Sequence, residues 1–259
     1  MKRLLLMLLA LAMLTVSFVS CDILNPTAED LMEKADSALE GGRYKLSAIM
    51  DISCSNEEVD AAFDEIFGGE AMDMDIYFDG KNMSTEMSMT AGGVTVDIEM
   101  TVVDNVLYYS FGDYAKVKAT VPEEEMDDLF GDMGADTSEY NPDDFAKISL
   151  EKKDGKYFIT CSSYNEEKLD ELLEQYEASI GATGAEDISL ENVELVFVIS
   201  DGKYESFTMN MDYAFTVEGE KIECSMDMGM KVDYSAGKEI VAPADADTYE
   251  EVSYGDIGL

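Results

Sequence analysis

From Tyr44 onward, apolar residues fall at every second position, and the alternating runs are separated by dipeptides suited to tight turns. Leu46, Ala48, Met50, Ile52 and Cys54 form one run, and Met72, Met74, Ile76 and Phe78 form the next. Met83, Thr85, Met87 and Met89 follow, then Val94, Val96, Ile98, Met100 and Val102. Period-two alternation marks strands with one buried face. Between runs stand Asp79-Gly80, Asp104-Asn105, Asp154-Gly155, Asp201-Gly202 and Glu218-Gly219, the residue pairs that hairpin turns favour. The pattern therefore predicts about eleven strands in an antiparallel sheet with one apolar and one wet face. The runs share turn chemistry without a fixed period, which excludes solenoids and propellers.

Helical signals are few. Thr27 is placed as an N-cap with Asp30 three residues on, Leu31, Ala35, Ala38 and Leu39 follow at helical spacing, and Gly41-Gly42 ends the segment. Asn165 opens a second helix with Leu169, Leu172, Leu173 and Tyr176 on one side. A short helix is expected over Asn56–Phe67. Between Glu123 and Asp144 lie ten acids and no base, a solvated excursion with a weak helix at Met126, Leu129, Phe130 and Met133.

The N-terminus reads differently. Met1-Lys2-Arg3 precedes an apolar stretch, Leu4–Val19, broken only by Thr15 and Ser17, and Ser20 is a small residue. These are the parts of a secretory signal peptide. Phe18-Val19-Ser20-Cys21 resembles the lipobox of bacterial lipoproteins, with Phe18 where Leu is usual. That resemblance implies that Cys21 is the lipidation site, carrying a diacylglyceryl group as the first mature residue. The expected organisation is residues 1–20 as signal peptide, 21–26 as lipidated anchor and spacer, and 27–259 as one domain. The expected location is the extracytoplasmic face of the cell membrane, held by lipid.

Charge and composition narrow the function. Losing Lys2 and Arg3 with residues 1–20 takes the net charge from −40 to −42 over the 239 residues left of 259. Such a surface repels phosphate backbones and anionic headgroups, so no nucleic-acid partner is expected. Histidine is absent. That removes the usual general base, the Ser-His-Asp and Cys-His arrangements, and the commonest zinc ligand, so the expectation is a non-enzyme without cofactor or metal. Besides Cys21 there are Cys54, Cys161 and Cys224, each in a strand-like run. Three thiols permit at most one internal disulfide, with the pairing left open.

The apolar face is rich in methionine. Fifteen of 18 Met remain once Met1, Met7 and Met13 leave with the signal, and several stand two apart in strands. Met side chains are flexible and polarizable and repack around irregular guests. Three readings follow: a Met-rich core under the helices, an adaptable concave surface for an acyl chain or other hydrophobic ligand, or soft-metal binding by Met-X-Met. The candidate ligand-binding residues are Met74, Met87, Met89, Met209, Met211, Met226 and Met228.

The whole mature chain resembles the LolA/LolB-like fold, including the LppX/LprG-like surface lipoproteins. The resemblance rests on the anchor cysteine, the helix after it (Thr27–Leu39), the long antiparallel run, and the late helix (Glu166–Tyr176). The closing segment Ile240-Val241-Ala242-Pro243-Ala244-Asp245 and the pair Val106-Leu107-Tyr108-Tyr109 and Tyr114-Ala115-Lys116-Val117 add to it. It implies an α+β fold, a strongly curved antiparallel sheet forming a half-barrel around two or three helices, with an apolar cavity for acyl chains. The expectation is a monomeric lipoprotein that binds or carries a lipid; the alternative is a structural or interaction lipoprotein of the cell envelope with a packed core.

Overall fold

The computed structural model describes residues 26–61, 72–91, 94–126, 142–180, 185–217 and 219–256. Cys21, Leu129, Phe130, Met133 and most of the expected helix over Asn56–Phe67 lie outside them. The described part of that helix is residues 57–61, opened by Asn56, whose Oδ1 accepts from the backbone N–H groups of Glu58 and Val59 at 3.0 and 3.2 Å.

The chain is mostly β. Among the described residues twelve strands make one open, curved sheet: β1 (Arg43–Cys54), β2 (Met72–Asp79), β3 (Asn82–Ala91), β4 (Val94–Val103), β5 (Val106–Phe111), β6 (Ala115–Thr120), β7 (Phe145–Lys153), β8 (Lys156–Tyr164), β9 (Ala185–Ser200), β10 (Lys203–Val217), β11 (Glu220–Asp233) and β12 (Glu250–Glu251). The α-helices α1 (Ala28–Leu39) and α2 (Glu166–Ile180) are minor partners, so the α+β expectation gives way to a sheet-dominated fold.

Two hairpin meanders compose the sheet. β1 to β6 run outward in chain order on one side, and β11 back to β7 on the other; antiparallel β1 and β11 join them. The turns do what their residues permit. Asp104 and Asn105 have φ of 50° and 62°, and Asp201 and Gly202 have 51° and 72°, the left-handed pairs that connect twisted strands in two-residue hairpins. At Gly202 it is the positive φ that calls for glycine, since the atoms nearest to an added Cβ are the flexible end of the Lys34 side chain on α1, which can swing aside.

One strand exceeds the expected count, and it is not antiparallel. Two residues of the closing tail form β12, parallel to β6, with Glu250 beside Val117 and Glu251 beside Lys118. The expected Tyr- and Lys-bearing strand pair secures this tail. Lys116 pairs with Asp245, Lys118 Nζ donates to the Ala246 carbonyl at 3.2 Å, and Tyr108 meets Tyr249 edge-on at 5.5 Å.

Alternation aligns one apolar face across the sheet. Following the register, Ala115, Phe111, Ile98, Met87, Met74, Ala48, Met230, Phe207, Phe197, Ile159 and Leu150 stand side by side from β6 to β7. Helix α1 lies against this face near β7, β9 and β10, burying Leu31, Met32, Ala35 and Leu39. Its start is the expected capping box, with Thr27 and Asp30 bonding each other's backbone N–H. Tyr44, Phe78, Met83, Val102, Leu107, Phe197, Ile199 and Tyr204 complete a single core with it.

Candidate functional site: a methionine band on the inward face

Burial along the strands is uneven. On β1, Tyr44, Leu46 and Ala48 are buried, whereas Met50 and Ile52 are half-buried. On β2, Ile76 and Phe78 are buried and Met74 is not; on β3, Met83 and Thr85 are buried and Met87 is not. On β10, Tyr204 and Phe207 give way to half-buried Met209 and Met211. The core thus fills one end of the inward face and continues along β8 and β9 at Ile159, Cys161, Phe197, Leu195 and Val193, while the next three rows are partly open where they cross β1, β2, β3, β10 and β11.

Those rows are where the sheet collects methionine. Met87 stands beside Met74, Met74 beside Ala48, and Ala48 beside Met230. One row on, Met72 opposes Met50, Met50 opposes Met228, and Met228 opposes Met209. The third row carries Ile52, Met226 and Met211. Six of the seven candidate methionines therefore converge on one surface centred on the β1–β11 seam. Met89 lies at the outer end of β3 opposite Val96. Met50, Met72 and Met230 stand in the same rows but were not among the candidates; the place of Met50 opposite Met228 depends on β1 pairing with β11, a partner far away in sequence.

The band ends at a covalent bolt. Cys54 and Cys224 are direct partners across β1 and β11, their Cα atoms 4.1 Å apart, and they form a disulfide spanning 170 residues. This settles the open pairing. Cys161 is free and buried on β8, and desolvation pushes its thiol pKa up to about 11, which leaves it protonated and unreactive at neutral pH.

Carboxylates of the central strands lie on the opposite face. Asp51 opposes Asp227, and Asp75 opposes Glu86, which opposes Glu99. Some acids are held by bases: Arg43 to Asp79 at 2.7 Å, Lys45 to Asp75 at 2.7 Å and Lys238 to Glu86 at 2.6 Å. The hydrogen bond from Arg43 holds the Asp79 carboxyl below its ordinary value. For Asp75 desolvation works upward, but hydrogen bonds from Lys45 and Ser47 outweigh it and the carboxyl is lowered. Among the described residues no group of three His, Cys, Asp or Glu is placed to hold a metal ion.

The polar atoms that do face inward are few. Thr85, 6% exposed, has a buried Oγ1 with no hydrogen-bond partner among the described residues. The hydroxyls of Tyr44 and Tyr234 are pushed toward higher pKa by burial. A separate cleft of about 650 Å³, lined by Thr120, Pro122, Glu125 and residues 251–255, lies at the tail-capped edge, five strands from the seam. Among the described residues no helix is long and apolar enough to cross a membrane.

An open, mostly antiparallel β-sheet with a methionine-lined inward face defines the class. The chain belongs to the family of unknown function DUF6612, which matches residues 27–248. No curated protein matches it. Among solved structures, it is similar to the ywiB protein from Bacillus subtilis at 6% identity and a TM-score of 0.21, covering 76% of this chain and 94% of that one. A beta-barrel-like protein of the domain of unknown function DUF1849 from Brucella abortus shows 9% identity and a TM-score of 0.20, covering 75% and 98%.

Proposed function

We propose that this protein is a non-enzymatic lipoprotein, anchored through Cys21 on the extracytoplasmic face of the cell membrane, that binds or carries a lipid or other hydrophobic ligand on its methionine band. In this reading the sheet is a LolA-like half-barrel acting as a monomer. The observation that carries the proposal is the run of half-buried methionines, Met87, Met74, Met230, Met50, Met228, Met209, Met226 and Met211, on a face whose next row buries Thr85, Ile76 and Leu46. A closed core would use Val, Ile and aromatics, which strands favour. Met at these positions supports a surface that reshapes around a guest. The absence of charge from the band favours an apolar ligand over an ionic one.

Native mass spectrometry with solvent extraction on residues 22–259 tests this. A co-purifying lipid that is lost in Met228→Glu or Met211→Glu is the expected result. A clean unliganded mass that persists after incubation with envelope lipids overturns it.

One observation favours the alternative, an interaction lipoprotein of the envelope. Among the described residues strand β7 leaves its outer edge unpaired, with Ile148 and Leu150 42% and 40% exposed beside Lys147, Lys152 and Lys153. Open edges are templates for strand addition, although lysines also guard them.

A further inference from the structure

Thr85 is the polar interruption in the alternation of β3, standing between Met83 and Met87 where the pattern calls for an apolar residue. Its cross-strand neighbours are Ile76 on β2 and Met100 on β4. The side chain is nine-tenths buried, yet its hydroxyl has no partner among the described residues. Buried hydroxyls are ordinarily bonded, and an unbonded one costs stability that valine, of nearly the same shape, would not. Its position lends the hydroxyl a use. Thr85 lies in the last buried row before the half-buried row of Met87 and Met74, at the inner margin of the band. Met87 and Met100 beside it are unbranched and able to swing aside.

We infer that the ligand of the methionine band is an oxygen-bearing amphiphile, an alcohol or an acyl ester, whose oxygen pairs with the Thr85 hydroxyl while its chain lies along the methionines. The inference rests on the ligand-binding reading and specifies its chemistry: a pure hydrocarbon fills the band but leaves Thr85 unpaired. Thr85 Oγ can donate to a carbonyl or accept from a hydroxyl, so both classes fit.

The test compares 1-hexadecanol with hexadecane, matched in chain length, as competitors of N-phenyl-1-naphthylamine bound to the purified full chain. The variants are Thr85→Val and Thr85→Ser. The N-terminal apolar segment is common to all three proteins and cancels in the comparison. Thr85→Val is expected to lower the preference for hexadecanol about tenfold, through its affinity for the alcohol alone. Thr85→Ser keeps the hydroxyl and the preference, which separates the polar contact from a packing defect. An unchanged preference in Thr85→Val, with both probes still bound, overturns this inference and leaves the ligand-binding reading standing. Failure of the wild-type chain to bind either probe overturns both.

Discussion

The two ends of the inward face use the same strands and the same alternation, yet they are built to different standards. At the α1 end, Val102, Leu107 and Ile199 are wholly buried, and aromatic pairs such as Tyr44 with Phe78, centroids 4.8 Å apart, fix the packing. In the methionine band Met50, Met74, Met87, Met209, Met211, Met226, Met228 and Met230 are half-buried, and their side chains are long and unbranched. The contrast separates two uses of one pattern. Alternation specifies which face is apolar; side-chain shape decides whether that face closes.

This contrast can be broken by measurement. Truncating the closed end should cost most: Leu107→Ala or Ile199→Ala is expected to lose about 2–5 kcal/mol in urea unfolding. Removing the bolt, by reduction or by Cys54→Ser with Cys224→Ser, should cost about 2–5 kcal/mol, read as a drop in melting temperature, because the bridge closes a very long loop. Met228→Ala should cost clearly less than Leu107→Ala, about 1 kcal/mol, since a half-buried side chain loses less transfer energy and leaves little cavity. If it costs as much, the band is core and the contrast collapses. Thr27→Ala should cost about 1 kcal/mol by removing the cap of α1, without touching the band.

Proton linkage adds effects of opposite sign at the two ends of the pH scale. Asp75 and Asp79 are lowered from 3.8 in the folded chain, so the stability they contribute is present above that value and fades as pH falls below it. Cys161 is raised from 9.0 to about 11, so its contribution is complete below 9 and lost as pH climbs to about 11. Iodoacetamide at pH 8 should therefore leave Cys161 unmodified in the folded protein and label it once urea unfolds the chain, as intact mass would show.

Much of the architecture was legible locally. The capping box at Thr27 and Asp30, the hairpins at Asp104-Asn105 and Asp201-Gly202, and the inward direction of each strand all follow from neighbouring residues. What escaped was long-range. Nothing near Cys54 points to Cys224, and nothing near Met50 points to Met228, because the pairing of β1 with β11 is decided by global topology. β12 escaped for another reason: two glutamates carry no alternation, and they pair with β6 because the tail is tied down by Lys116, Lys118 and Tyr108. Candidate residues chosen for their Met-X-Met spacing therefore included Met226 and Met228 but passed over Met50, which has no methionine two positions away.

The β1–β11 seam also bears on how the protein comes into being. The first strand made finds its partner only when the eleventh has been made, so an emerging chain holds β1 with one unfilled side through most of its synthesis. Until then the two meanders can assemble only as separate halves, and neither the seam nor its disulfide exists. Any process that must handle the chain unfolded is thereby given a window that closes only once β11 has been made.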